Sequence, residues 1–136
     1  MRLAVPGDFD ALTLSAWFKH TAGTADDRFI SKANGTANAN TWWQLGLSGG
    51  TALRFRLMTG GTSVDYSAGT ITNGVWTQAT GVYDGTKMRL YMNGSLIGTW
   101  TKTGNVDVNP SVQVALGNNP SAVGARSLDG KLDEPR

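Results

Sequence analysis

The chain has 136 residues and a net charge of +2, with 18 glycines, five tryptophans, one histidine, one glutamate and no cysteine. This composition excludes disulfides, a thiol nucleophile, a Cys-based zinc site and any pair of catalytic glutamates. The basic residues are scattered and no apolar run approaches the roughly 20 residues of a membrane span, so we expect neither a nucleic-acid partner nor membrane insertion.

Apolar residues recur at period two in short runs, a pattern typical of β-strands with one buried face. The predicted strands, in chain order, are 12–18, 28–31, 42–47, 52–58, 75–83, 87–92, 96–100, 112–116 and 128–133. Turn residues separate these runs, and Asn93-Gly94 supplies the two positive-φ positions of a type I′ hairpin turn. Many short strands with legible turns predict an all-β fold, an antiparallel β-sandwich or jelly roll.

Alternation within the strands assigns side chains to opposite faces, because a strand in a sandwich buries one of them. The predicted core positions are Trp43, Leu45, Leu47, Leu53, Phe55, Leu57, Met88, Leu90 and Met92. The opposite positions form one polar surface, whose basic and aromatic members are the candidate ligand-binding residues: Trp42, Gln44, Arg54, Arg56, Arg89 and Tyr91.

Two kinds of glycan contact are available on this predicted surface. Trp42, the tryptophan expected to be most exposed, could form a platform with Tyr91 for the apolar face of a sugar. Arg54, Arg56 and Arg89 could clamp a carboxylate or sulfate of an acidic polysaccharide. The alternatives are an aromatic residue at a loop rim and a solvated strand face.

The other tryptophans and the isolated charges favour structural roles. Trp17, Trp43 and Trp76 are predicted to pack in the core. His20 has no matched base or metal partner and is predicted at the surface. The sequence 26–28, Asp-Asp-Arg, predicts a turn with a local ion pair.

Five ordered motifs resemble bacterial LamG-like domains of the concanavalin A-like jelly-roll family. These are LTLSAWFK at 12–19, RFISK at 28–32, GVWTQATGVYDG at 74–85, KMRLYMNG at 87–94 and GKLDEPR at 130–136. The resemblance implies one jelly-roll domain over residues 1–136, trimmed within its first and last strands. Such trimming would leave an open sheet edge, through which the domain could assemble with another protein chain.

The resemblance also implies a structural calcium ion. Its matching ligand in the closing strand would be Asp133, while the partner positions would fall in the missing N-terminal part of the domain. The alternative is an aspartate that is hydrogen-bonded within its strand or turn.

An enzyme is not expected, because the sequence lacks the acid/base residues of its relatives. The E-x-D-x-x-E strand of jelly-roll glycoside hydrolases is absent, and His20 lies in no motif that matches the lyases of this fold. The resemblance favours a non-catalytic carbohydrate-binding or adhesion module, lectin-like, of a larger secreted or surface protein. The alternative is a structural or decoration domain of a phage virion or surface assembly. Either hypothesis implies an extracellular, cell-surface or virion-surface location.

Overall fold

The computed structural model describes residues 9–22, 26–121 and 124–136, and these residues form strands, turns and one short 3-10 helix at Asn38–Asn40. The strands are β1 (Leu12–His20), β2 (Arg28–Ala33), β3 (Thr41–Ser48), β4 (Ala52–Thr59), β5 (Thr62–Ala68), β6 (Thr77–Tyr83), β7 (Lys87–Met92), β8 (Ser95–Thr101), β9 (Val114–Leu116) and β10 (Gly130–Asp133).

The strands form two five-stranded sheets that pack face to face. The first sheet has the order β10-β1-β6-β7-β8 and the second has the order β5-β4-β3-β2-β9. Every neighbouring pair is antiparallel. The predicted all-β sandwich is therefore confirmed. In the described part of the chain, no helix is long and apolar enough to cross a bilayer.

One strand, β5, was not predicted from the sequence. It pairs with β4 along its whole length and forms an edge of the second sheet. The sequence does contain signals for this strand. The first is the pair Gly60-Gly61, which suits a hairpin turn, and both glycines adopt positive φ angles there. Val64 and Tyr66 alternate with polar residues in the strand that follows. The omission matters because β5 carries Asp65, which contributes to the site described below.

The core lies between the two sheets and contains the side chains expected there. Eight of the nine predicted core residues are at most 4% exposed, and Met92 is half-buried. Phe18 of β1 stacks on Phe29 of β2 across the core, with their ring centroids 4.2 Å apart. A Cβ atom on Gly81 would lie 2.9 Å from the ring of Phe55, so a glycine there lets the sheets approach closely.

Three expectations about the tryptophans need correction. Trp43 is buried as predicted, but Trp76 is 41% exposed and lies just before β6 begins. Trp17 is half-buried, because its neighbours Ala16 and Phe18 occupy the inward positions of β1. Trp42, expected to be the exposed one, is half-buried and packs against the core cluster.

The surface position predicted for His20 is also wrong. The inward positions of β1 are even-numbered and β1 extends to His20, so the imidazole is fully buried at the end of the core. Its Nδ1 lies 2.8 Å from Asn73 Oδ1, and its Nε2 lies 3.3 Å from Asp27 Oδ2. Asp27 therefore pairs with His20 rather than with its neighbour Arg28.

Candidate functional site: an arginine pocket

A polar pocket of about 240 Å³ opens on the outer face of the second sheet. We call it the arginine pocket, and its lining residues are Asp26, Arg28, Thr36, Asn38, Gln44, Arg54, Arg56, Asp65 and Arg126. Strands β2 to β5 supply the floor, and the segments before β2, after β2 and before β10 supply the rest. Four guanidinium groups face two carboxylates there, so the lining carries a net positive charge.

A β-bulge places Arg28 in this pocket. The pairing of β2 with β3 shifts between Arg28 and Ile30, so an extra residue bends the strand at that point. The partner of Arg28 across the ladder is Gly46, where any Cβ atom would collide with the carbonyl oxygen of Asp27 and lie 3.0 Å from Arg28 Cα. Glycine at this position thus allows the close backbone approach that holds Arg28 in place.

Three of the arginines are paired with carboxylates. Asp26 Oδ2 lies 3.1 Å from Arg54 Nη1 and 3.4 Å from Arg126 Nη1. Asp65 Oδ2 lies 3.2 Å from Arg54 Nε and 3.7 Å from Arg56 Nη2. Burial alone would raise the pKa of Asp26, but the backbone N–H of Gly49 and the Arg54 guanidinium lower it overall. Asp26 therefore stays ionised, and the two side chains together hold Arg54, Arg56 and Arg126 in fixed positions.

The fourth arginine, Arg28, has no carboxylate partner within the described residues. It is 1% exposed, and only its Nη2 donates a hydrogen bond, over 3.5 Å to Thr41 Oγ1. Its Nε and Nη1 are buried without a partner in that part of the chain. Burial, together with the nearby Arg56, Arg126 and Arg54 guanidiniums, lowers the pKa of Arg28 to about 10. The side chain remains a cation at neutral pH, with two donors unused.

Gln44 is also buried with unsatisfied hydrogen-bonding atoms, although its side chain is neutral. It is 1% exposed, and both its Nε2 and its Oε1 are buried without a hydrogen-bond partner among the residues described. An unmade hydrogen bond at a buried polar atom costs about 1–3 kcal/mol. Two polar side chains without a partner among the described residues line one cavity, so they are available to a polar ligand or to ordered water.

The structure brings together only some of the candidate binding residues. Gln44, Arg54 and Arg56 line the arginine pocket, whereas Trp42 lies on the same strand as Gln44 but does not line it. The prediction of one surface for all six residues is wrong. Arg89 and Tyr91 belong to β7 of the first sheet, whose outer face points away from the second sheet.

This separation removes two of the predicted contacts. Trp42 and Tyr91 cannot form one aromatic platform, because they lie on opposite faces of the sandwich. Arg89 is paired with Asp84 at 2.6 Å and is not part of the arginine clamp. Sequence reasoning also missed Arg28, Arg126, Asp26 and Asp65 as pocket residues. The expected ion pair within 26–28 is replaced by the pairing of Asp26 with Arg54 and Arg126.

Asp133 lies on the outer strand β10, opposite Trp17, and its Oδ1 accepts the backbone N–H of Glu134. Within residues 9–22, 26–121 and 124–136, no three His, Cys, Asp or Glu side chains are grouped to hold a metal ion. Calcium also takes backbone, amide and water oxygens as ligands, so this grouping does not test the predicted site at Asp133. The calcium ion stays a prediction.

Residues 3–136 match the family described as the concanavalin A-like lectin/glucanases superfamily. The chain belongs to this family. The match extends over nearly the whole sequence and agrees with the two-sheet architecture described above. No curated protein matches the sequence.

Solved structures with the same architecture include three from different sources. CBM40 of the Ruminococcus gnavus IT-sialidase, bound to α2,3-sialyllactose, has 20% identity and a TM-score of 0.70, over 87% of this chain and 69% of that one. Domain 4 of the Geobacillus stearothermophilus arabinanase AbnA, in complex with arabinotriose, has 21% identity and a TM-score of 0.66, over 97% of this chain and 61% of that one. Domains LG4-5 of the mouse laminin α1 chain have 13% identity and a TM-score of 0.70, over 93% of this chain and 34% of that one. At these identities the likeness shows the fold.

Proposed function

We propose that this domain is a non-catalytic carbohydrate-binding module that holds a glycan in the arginine pocket. The observation that carries the proposal is the unsatisfied polar lining of that pocket. Gln44 and Arg28 are almost completely buried, yet the described protein atoms make no hydrogen bond to the Gln44 amide and only one to the Arg28 guanidinium, from its Nη2 to Thr41. Sugars are dense in hydroxyl donors and acceptors, so they are the natural ligands for such a lining.

The comparisons support the same class of ligand. The similar CBM40 is described with sialyllactose bound, and the similar arabinanase domain with arabinotriose bound. Both are sugar-binding domains that accompany an enzyme, which favours a module attached to a larger protein here as well. In this proposal the parent protein is secreted or displayed on a cell or virion surface, where it contacts glycans.

The carboxylates of the pocket favour binding over hydrolysis. A glycosidase needs one carboxylic acid with a raised pKa to protonate the leaving group. Asp26 is bound by Arg54 and Arg126, and its pKa is lowered instead. Asp65 is held between Arg54 and Arg56. Both side chains therefore position guanidiniums rather than transfer protons.

A glycan array of neutral and acidic polysaccharides tests the proposal, with the parent protein compared with Gln44→Met and Arg89→Met variants. We expect binding by the parent, loss of that binding in Gln44→Met and retention in Arg89→Met, because Arg89 lies on the opposite face of the sandwich. If the parent binds no glycan at millimolar concentration, the module hypothesis is wrong. The structural or decoration role in a virion or surface assembly would then be favoured.

A further inference from the structure

The unsatisfied groups of the arginine pocket require different partners. Arg28 offers a positive charge and the Nε and Nη1 donors, so it needs an anionic acceptor. Gln44 Nε2 needs an acceptor, but Gln44 Oε1 needs a donor. A ligand that satisfies both side chains must therefore carry an anion and at least one hydrogen-bond donor, which in a sugar is a hydroxyl or an amide N–H group.

This requirement separates three classes of ligand. An inorganic anion such as sulfate has only acceptor atoms, so it leaves Gln44 Oε1 unsatisfied. A neutral sugar supplies hydroxyl groups but leaves the buried Arg28 cation without a counter-charge. A sugar acid carries a carboxylate next to several hydroxyl groups on one ring, and it meets both needs.

The remaining charges of the pocket agree with an anionic ligand. Asp26 and Asp65 form their ion pairs with Arg54, Arg56 and Arg126 and not with Arg28, although the charge of Asp26 offsets part of the repulsion on the Arg28 cation. The segments 23–25 and 122–123, next to the pocket residues in the sequence, contain no acidic residue that could do so. Among the described residues, the positive charge at Arg28 thus has no ion-pair partner and is available to a ligand.

The size and lining of the pocket limit the ligand further. Its volume of about 240 Å³ lies below the roughly 300–1,000 Å³ of pockets for drug-sized molecules, which suits one sugar unit. No aromatic ring lines it, so recognition depends on charge and hydrogen bonds rather than on stacking against a ring. Arg126, which is 36% exposed at its side chain, stands at the opening.

We infer that the arginine pocket binds the carboxylate-bearing residue of an acidic glycan, with the Arg28 guanidinium on the carboxylate and the Gln44 amide on a ring hydroxyl. This inference rests on the proposed carbohydrate-binding function and specifies its ligand. Arg54 and Arg56, held by Asp65, complete the cationic floor under the sugar. The carboxylate restores the missing counter-charge, and the hydroxyl satisfies the amide.

The most direct test compares sugars that differ only in the carboxylate. Methyl glucuronide and methyl glucoside form such a pair, and methyl galacturonide and the methyl glycoside of N-acetylneuraminate extend the acidic panel. Titration followed by NMR should show at least one acidic sugar binding at least about tenfold more tightly than its neutral counterpart. The affinity should also fall as sodium chloride is added, because ions screen the charge interaction.

Two variants assign the roles of the residues. Arg28→Met should weaken binding of the acidic sugar by at least about tenfold, since it removes the charged donor. Gln44→Met should weaken the acidic sugar but leave the much weaker binding of acetate unchanged, because acetate carries no hydroxyl group. Arg89→Met is the matched control, an arginine on the outer face of the other sheet, and should bind as the parent does. A thermal melt of each variant verifies that it is folded.

The outcomes separate this inference from the proposed function. Neutral glycans that bind as tightly as acidic ones would overturn the inference and leave the carbohydrate-binding function intact. Sulfate or acetate that binds as tightly as the sugar acid would overturn the role of Gln44 and of the hydroxyl group. An acidic sugar that binds equally well to Arg28→Met and to the parent would place its site elsewhere. Failure of every glycan, neutral and acidic, would overturn the proposed function itself.

Discussion

Replacing Arg28 with methionine should make the domain more stable, although most substitutions of buried residues destabilise a protein. Methionine is also long and flexible, so it fills much of the same space without a charge. The substitution removes a buried cation that has no carboxylate partner in the described residues and lies among Arg54, Arg56 and Arg126. A residue kept for ligand binding at the expense of stability should behave in this way.

The magnitude follows from the electrostatics of the pocket. Burial and the neighbouring guanidiniums lower the pKa of Arg28 from 12.5 to about 10. One pKa unit corresponds to about 1.36 kcal/mol, so folding the charged side chain costs roughly 3 kcal/mol. Loss of the hydrogen bond to Thr41 removes about 1 kcal/mol of stabilisation. The expected net gain is about 2 kcal/mol, or a rise in Tm of about 5–10 °C.

Urea unfolding at pH 7, followed by tryptophan fluorescence, measures this difference. The cost is fully present below the folded-state pKa, where Arg28 is charged in both states, and it declines as the pH rises above about 10. The advantage of Arg28→Met should therefore shrink in that range. Arg89→Met serves as the control, because its pair with Asp84 lies at the surface, where solvent screens it, and should contribute little to stability.

A lower unfolding free energy for Arg28→Met than for the parent would refute this reasoning. It would mean that the buried guanidinium is satisfied in the free protein, and that the pocket holds no unmet charge. The inferred preference for a sugar acid would then lose its main physical support.

Three further substitutions test how the site and its scaffold are built. Gly46→Ala should lower the free energy of unfolding by more than about 2 kcal/mol and abolish glycan binding, because its Cβ would collide with the Asp27 backbone. Urea unfolding measures the first effect and the glycan array measures the second. Gly81→Ala should lower the free energy of unfolding by about 1–3 kcal/mol, since its Cβ would lie 2.9 Å from the ring of Phe55 in the facing sheet. Urea unfolding also measures this change. Asp84→Asn should reduce stability at pH 7 and do so less near pH 2, because Arg89 and backbone N–H groups hold the pKa of Asp84 well below its usual range. Its stabilisation is present above about pH 4 and is lost as the pH falls towards the folded-state pKa, so urea midpoints at several pH values measure it.

Each of these predictions can fail clearly. An unchanged unfolding midpoint in Gly46→Ala would show that β2 can move away from β3 without penalty. An unchanged midpoint in Gly81→Ala would show that the two sheets separate easily. A constant difference between Asp84→Asn and the parent at all pH values would mean that the carboxylate charge does not stabilise the turn.

The strands and the core were largely predictable because their signals are local. Leu45 and Leu47 alternate with outward residues within one strand, and period two alone places them inside. The ends of strands were less predictable. Two extra residues of β1 place His20 in the core, and Trp76 falls just outside β6. The alternation in β5 is weaker, because Val64 and Tyr66 are its only large apolar residues and the other five are small or polar.

The candidate site was predictable only in part. Alternation placed Gln44, Arg54 and Arg56 on one face, and the structure has them in one pocket. Alternation does not say what covers that face, so the near-complete burial of Gln44 and Arg56 was unexpected. Arg126 follows Arg56 by 70 residues and lies in the loop before β10. A local pattern could not assign it to the pocket, because the contact joins distant parts of the chain.

By itself the sequence determined that this protein is a β-sandwich of the concanavalin A-like type, with a defined set of inward side chains. Side-chain alternation and turn chemistry are local properties, and they can be read from a few consecutive residues. Only the tertiary structure decided that Arg89 and Tyr91 face away from Arg54, and that Arg28 and Gln44 line one pocket without an ion-pair partner for Arg28 among the described residues. Those facts depend on which strands pair and which loops cover a sheet, and such contacts join segments that are far apart in the chain.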